Sequence, residues 1–304
     1  MLLCMDIGGT AVKLGLVDEE GTIHARHEAS VSFDGYRTPV IETVLREAEA
    51  FQRDTGAAIA GIGVSATGQI DDRTGTVIGT NGKIPGYEGT CIKDRLEERF
   101  HVPAQVINDA NAAALGECFR GGAQGADNMV MITLGTGVGG GIVLNGQLLS
   151  GKRGIAGELG HFTLYQDGPC CPCGKRGCYE NYASTTALVQ SARKADGDQT
   201  LTGREIFSRA ASGDAVMLRV IDAWLRDVAA GLTGIIHIFN PEMVLVGGGV
   251  SSQEELLMRP LRRLVLSGVM PRFAEGLRIE RALLGNDAGL IGAAKNFLDR
   301  SRQR

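Results

Sequence analysis

The chain has 304 residues, 43% apolar and 22% charged, with a formal net charge of -4; disorder and fibrous structure are excluded, and two domains or one duplicated fold are expected. No apolar run reaches the ~18 residues of a membrane helix, and Asp6 interrupts the N-terminal apolar stretch before a signal-peptide core can form. A cytoplasmic protein is expected, and its mild acidity gives it no general attraction to membranes or nucleic acid.

The opening residues predict a strand from Leu2 to Met5, a turn Asp6-Ile7-Gly8-Gly9-Thr10, a strand from Val12 to Val17, and a further strand from Thr22 to Arg26. Pro39 to Arg53 reads as a helix, Ala60 to Ser65 as a strand, Cys91 to Phe100 as a helix, Ala104 to Ile107 as a strand and Ala110 to Glu117 as a helix. Near residue 130 the opening pattern recurs: a strand Met129 to Leu134, a turn Gly135 to Gly140, a strand Gly141 to Leu144, and an Asn145-Gly146 hairpin turn into Gln147-Leu148-Leu149. The remainder predicts helices at 184–194, 201–211 and 214–239, a strand at 243–246, a helix at 253–269, a strand at 277–282 and a closing helix at 289–299. One supersecondary unit therefore appears twice, which points to two similar lobes in an α/β protein.

Glycine is 44 of 304 residues, about twice its usual share, and clusters beside apolar strands. That placement is read as backbone approaching something bound. In Asp6-Ile7-Gly8-Gly9-Thr10, amides and the Thr10 hydroxyl can cradle a phosphate while Asp6 suits a hydrated Mg²⁺. Gly135-Thr136-Gly137-Val138-Gly139-Gly140 matches a GxGxxG string, but a dinucleotide fingerprint must open a helix and this one runs on into a strand. It reads instead as a second phosphate hairpin. Gly247-Gly248-Gly249 lies between a strand and a helix, and Gly285 to Gly289 precedes the last helix in the same way. Asn108-Asp109 follows the strand Ala104 to Ile107, where open α/β sheets place ligands, although both residue types also serve as helix caps.

Of seven cysteines, Cys4, Cys91 and Cys118 are scattered, while Cys170, Cys171, Cys173 and Cys178 crowd together after His161. One imidazole and three thiolates, from His161, Cys171, Cys173 and Cys178, fit a closed, structural Zn²⁺ site. Cys170 is read as a bystander. Such a metal would order a loop that carries little apolar core of its own.

Taken together, the Asp6 to Thr10 turn, the Gly135 run through Glu158-Leu159-Gly160-His161, the Cys171/Cys173/Cys178/Glu180 cluster, the Gly247 run and Asn108-Asp109 resemble the ROK family of bacterial sugar kinases, repressors and open reading frames. The resemblance implies an actin-like, hexokinase-type duplicated fold. Its lobes are expected at 1–118 with 288–304 and at 119–287, the latter carrying the zinc loop 161–180, with ATP-Mg²⁺ and a sugar in the cleft between them. It implies that Asp109 is the general base, that Gly68, Asn81, Asn108, Glu158, His161 and Glu180 line the sugar site, and that Asp6, Gly8, Gly9, Thr10, Lys13, Gly135, Thr136, Gly137, Gly247, Gly248 and Gly249 serve the nucleotide. Transfer to the 6-OH of glucose is expected, with N-acetylmannosamine or N-acetylglucosamine as the alternative sugar, and a homodimer as the assembly. Family repressors carry a helix-turn-helix ahead of the first turn; with five residues before Asp6, a sugar-sensing regulator is disfavoured. Thr67-Gly68 and Gly86-Tyr87 stand where many members have Pro-Gly and Gly-Trp, and these departures bear on which sugar is used.

Overall fold

The computed structural model describes residues 1–80 and 84–302. Contacts divide the chain into one unit of Met1–Gly125, Gln147–Gly157 and Leu284–Arg304, and another of Ala126–Gly146 and Glu158–Leu283. The first unit contains β1 (Leu2–Ile7), β2 (Ala11–Val17), β3 (Ile23–Ser30), α1 (Val40–Thr55), β4 (Gly61–Ala66), β5 (Gln69–Asp71), β6 (Thr76–Gly79), α2 (Ile92–Phe100), β7 (Ala104–Asn108) and α3 (Asp109–Arg120). β8 (Met129–Leu134) and β9 (Val138–Leu144) open the second, and the chain passes from β9 through a tight turn into β10 (Gln147–Leu148). Helices α4 (Glu180–Ala183), α5 (Thr185–Asp196), α6 (Gly203–Ala211) and α7 (Ala215–Phe239) then precede β11 (Met243–Gly247), α8 (Arg259–Gly268), α9 (Pro271–Ala274) and β12 (Arg278–Arg281). The last helix, α10 (Ala288–Arg302), returns to the first unit.

The expected repeat is present in the strand order. In the first sheet, β3-β2-β1-β4-β7, the β1–β2 pair is antiparallel while β1–β4 and β4–β7 are parallel. In the second, β8–β9 is antiparallel while β8–β11 and β11–β12 are parallel. Parallel strands need both faces covered, and β1 reads accordingly. Leu3, Met5 and Ile7 join the cluster built with Val44 and Leu45 of α1 and Leu96 of α2, whereas Leu2 and Cys4 face Leu290, Ala294 and Phe297 of α10. Among the described residues no helix is long and apolar enough to cross a membrane.

Part of the glycine excess has a structural cause that the sequence reading assigned to ligands. α10 lies so close to β4 that a Cβ on Gly63 would stand 2.5 Å from the Ala293 carbonyl oxygen. Gly292 is in turn pressed on the backbone of Ala112 in α3. Two expected boundaries also shift. β9 begins at Val138, so Gly139 and Gly140 belong to the strand rather than the turn. The helix expected over 253–269 starts as a wide turn, Glu254–Met258, and becomes regular only at Arg259; Pro260, which has no amide to donate, fits only in that helix's first turn. The β5–β6 hairpin was not anticipated, because its strands of three and four residues are too short to show a period. Asn145 and Gly146 do take the left-handed backbone expected of them, with φ 53° and 71°.

Gly63→Ala should cost about 1–3 kcal/mol by overpacking, read as a lowered urea midpoint with an unchanged slope. A variant as stable as the parent would contradict this close helix–sheet approach.

Candidate functional site

Asn108 and Asp109 stand where β7 gives way to α3, at the carboxyl edge of the first sheet. Asn108 is the helix cap: its side-chain oxygen accepts from the amides of Ala110 at 3.0 Å and Asn111 at 3.2 Å. Its Nδ2 donates to the Gly68 carbonyl at 2.9 Å and to Asp109 Oδ1 at 3.0 Å. Asn108, expected to contact sugar, thus spends its amide on holding Asp109 and the loop carrying Gly68. Asp109 Oδ1 also accepts from the Ala110 amide at 2.8 Å, and the Thr67 hydroxyl hydrogen-bonds to the same carboxylate. Burial nevertheless pushes the Asp109 carboxyl up to about 6, opposed by the Ala110 amide and reinforced by the charge of Asp6.

Asp6, at the end of β1, lies in register with Ser65 of β4 and Lys13 of β2. Its Oδ1 accepts from Ser65 Oγ at 2.7 Å, and its Oδ2 lies 3.5 Å from Lys13 Nζ. Gly289, in the first turn of α10, leaves room for this carboxyl, since a Cβ there would stand 2.8 Å from Asp6 Cγ. The adjoining turn is fixed by its carbonyls: Tyr36 donates to Gly9 O at 2.6 Å and the Val31 amide to Thr10 O at 2.9 Å. Tyr87 is 2% exposed with a hydroxyl that has no partner among the described residues. Burial, then the charges of Asp109 and Asp6, keep this phenol protonated. Asn81 lies outside the described residues.

The second unit holds the histidine–cysteine cluster. The ligand atoms of His161, Cys171, Cys173 and Cys178 lie within 4.8 Å of one another. His161 Nδ1 faces Cys171 Sγ at 3.7 Å, and Cys173 Sγ is 3.5 Å from Cys178 Sγ. The chain folds to this end through Cys171 N to Lys175 O at 2.7 Å and Tyr179 N to Phe162 O at 2.9 Å. Burial and then the neighbouring thiols push Cys178 up to about 12, whereas Cys173, against its burial, is held below the ordinary thiol value by hydrogen bonds from the Lys175 amide and the other two thiols, with the Lys175 charge. A tetrahedral, thiolate-preferring ion such as Zn²⁺ fits this donor set. Cys170 is exposed and takes a hydrogen bond from Arg176 instead.

Beside it lies the second glycine turn. Glu180 Oε2 accepts from the Val138 amide at 2.9 Å, and a Cβ on Gly137 would run into that carboxylate. Gly248, at φ 95°, is pressed on the Leu134 carbonyl, so the Gly135 turn and the Gly247–Gly249 run meet at one end of the second sheet. Glu158 is exposed, and its carbonyl accepts from the His161 amide at 3.0 Å. The fold therefore gathers Asp6, Lys13, Gly68, Asn108 and Asp109 in the first unit, and Gly135, Thr136, Gly137, Glu180 and Gly248 in the second. Sequence reasoning missed Ser65, and it singled out Thr67 only as a departure from the family pattern, not as a donor to Asp109; strand register alone brings Ser65 to Asp6, and no spacing signals it.

A profile of the ROK family matches residues 2–300. The glucokinase of Halalkalibacterium halodurans is 37% identical over 305 residues, covering 95% of this chain and 92% of that protein. Among solved structures, the ROK hexokinase from Thermus thermophilus superposes with a TM-score of 0.84 at 34% identity, covering 99% of each chain. The ROK family glucokinase from Streptomyces griseus, crystallised with glucose and AMPPNP, gives 0.81 at 34% identity, covering 100% of this chain and 99% of that one. The duplicated α/β architecture is accordingly the actin-like fold expected from the sequence.

A carboxyl raised from 3.8 to about 6 in the folded state binds its proton more tightly than in the unfolded chain, so its ionisation destabilises the fold as pH rises through that window. Asp109→Asn should therefore stabilise at pH 7 by up to about 3 kcal/mol, with the gain vanishing below pH ~4 in denaturant titrations. A variant less stable than the parent at pH 7 would remove the buried-charge argument. Elemental analysis should find about one zinc per chain, lost when Cys171 and Cys173 are both replaced by Ser; full zinc occupancy in the double variant would discard the cluster as the site.

Proposed function

The chain belongs to the ROK family, and on that premise we propose that it is an ATP-dependent sugar kinase, moving the γ-phosphoryl group of ATP to a hexose hydroxyl, foremost the 6-OH of glucose. The observation that carries the reading is Asp109: a half-buried carboxylate, oriented by Asn108 and the Ala110 amide, whose acidity is tuned to about 6. A base with that affinity is ionised at neutral pH yet holds a proton well enough to take one from an attacking hydroxyl.

Asp109 accepts the proton of the sugar hydroxyl as its oxygen attacks the γ-phosphorus in line. Asn108 keeps the carboxylate aimed through Nδ2, and Thr67 supplies a further donor to it. Such a base contributes on the order of 10²–10⁴ in rate; positioning and neutralisation of phosphate charge supply the larger share. Backbone amides in the Gly8–Thr10 and Gly135–Gly137 turns and the ammonium of Lys13 take up that charge. Asp6 would hold the hydration shell of Mg²⁺, and its proximity to Asp109, felt in the raised proton affinity of Asp109, is the kind of paired negative charge that a divalent cation relieves. Bound Mg²⁺ would screen the β- and γ-phosphates. Glu158, Glu180 and the Nε2 side of His161 grip sugar hydroxyls, while Nδ1 of His161 with Cys171, Cys173 and Cys178 would hold zinc, whose role is to fix the ring and the loop. Cytoplasmic location and a homodimer belong to the same proposal.

A coupled assay across glucose, mannose, N-acetylglucosamine and N-acetylmannosamine should show ATP-dependent phosphorylation with glucose preferred. No turnover with any of the four would overturn the kinase reading. Asp109→Asn should lower kcat by about 10²–10⁴ while leaving the KM for glucose within a few-fold. In the parent, kcat/KM should fall as pH drops through about 6, because protonation removes the base. Parent-like turnover in Asp109→Asn would take Asp109 out of the mechanism.

A further inference from the structure

The second glycine turn is held by hydrogen bonds with α4 and with the start of α5. Three consecutive carbonyls, those of Leu134, Gly135 and Thr136, accept hydrogen bonds from two consecutive threonines at the start of α5. Thr185 Oγ1 donates to Leu134 O at 3.1 Å, the Thr185 amide to Gly135 O at 2.9 Å, and Thr186 Oγ1 to Thr136 O at 2.8 Å. Glu180 completes the set by taking the Val138 amide. The Gly135 amide is used within the turn, on Gly137 O at 3.0 Å. The amides of Thr136 and Gly137 have no acceptor among the described residues.

Tying carbonyls down on one side leaves the intervening amides turned the other way, and successive unpartnered amides form an anion-binding concavity. Left to itself, a glycine-rich turn samples many conformations, and each lowers the fraction competent to bind. Thr185 is itself anchored, since Ser184 caps α5 by accepting from the Ala187 amide at 3.2 Å. The clamp thus connects a rigid helix end to a flexible turn by hydrogen bonds rather than by apolar packing. We propose that Thr185 and Thr186 are positioning residues for the phosphates of the nucleotide, acting by fixing the carbonyls of Leu134, Gly135 and Thr136 so that the amides of Thr136 and Gly137 stay presented. This rests on the reading of the turn as a phosphate site.

Thr186→Val keeps the shape and removes one donor. Losing one such bond should raise the KM for ATP by about three- to tenfold and weaken calorimetric binding of AMPPNP to the same degree. The KM for glucose and the affinity for adenosine, which has no phosphate, should stay within twofold, and Thr186→Ser should restore the parent values. Thr185→Val should act in the same direction. Gly137→Ala, which forces the turn against Glu180 directly, separates the two ways of being wrong. If it weakens AMPPNP binding while both valine variants bind as the parent does, the clamp is refuted alone. If none of the three alters AMPPNP binding, the phosphate reading of the turn falls and takes the clamp with it. Equal losses for adenosine and AMPPNP in the valine variants would also refute it, because the effect would not be on phosphate.

Discussion

A carboxylate held partly out of water, within the field of a second carboxylate, is the constraint around which the first unit is arranged. Among the described residues no cation pairs with Asp109, while Lys13 pairs with Asp6 at 3.5 Å; the two acids also receive hydrogen bonds from Ser65, Asn108 and the Ala110 amide. Hydrogen bonds orient the Asp109 carboxylate without cancelling its charge, so the residual cost of its burial stays in the folded state as a raised proton affinity of that side chain. The fold carries that cost because β1, β4 and β7 are packed on both faces and cannot relax away from it. The strain is electrostatic, and it is located at Asp109, the residue proposed as the base.

The duplication gives each unit an equivalent turn, after β1 in the first sheet and after β8 in the second, and each is braced differently. The first is held by Tyr36 and by Val31, which precede α1 in sequence. The second is held by Glu180, Thr185 and Thr186, which follow directly on the cysteine cluster. Cys178 is two residues from Glu180, and the intervening Tyr179 is fully buried, with its hydroxyl on the Val228 carbonyl at 2.7 Å. The cysteine loop is therefore continuous with the braces of a glycine turn, through a residue that cannot shift without opening the core. An ordered cluster and an ordered turn are two ends of one short segment.

Much of this was legible in the sequence because it is local. The Asn145-Gly146 turn, the strands expected at 129–134 and 243–246, the capping of α3 and the His-Cys spacing all depend on neighbours within a few residues. What stayed hidden depends on residues brought together from afar. Nothing local marks Gly63 of β4 as the seat of α10, more than two hundred residues further on, or Gly292 of α10 as the point where that helix presses on α3. Ser65 meets Asp6 across 59 positions through strand register, and Thr186 meets Thr136 across 50. Asn108 illustrates the intermediate case. Its two readings, cap and ligand, were both visible in the sequence, and only the structure shows its oxygen and both of its amide hydrogens engaged within the protein.

The claim on which the rest turns is the acidity of a single side chain. Carbon-13 NMR of aspartate-labelled protein, with the Asp109 carboxyl resonance assigned by its loss in Asp109→Asn, would follow that group directly in the absence of substrates. The account requires a titration midpoint near 6. A midpoint at or below the ordinary aspartate value of about 3.9 would mean that the carboxylate is neither desolvated nor opposed by Asp6, and the tuned base would be gone.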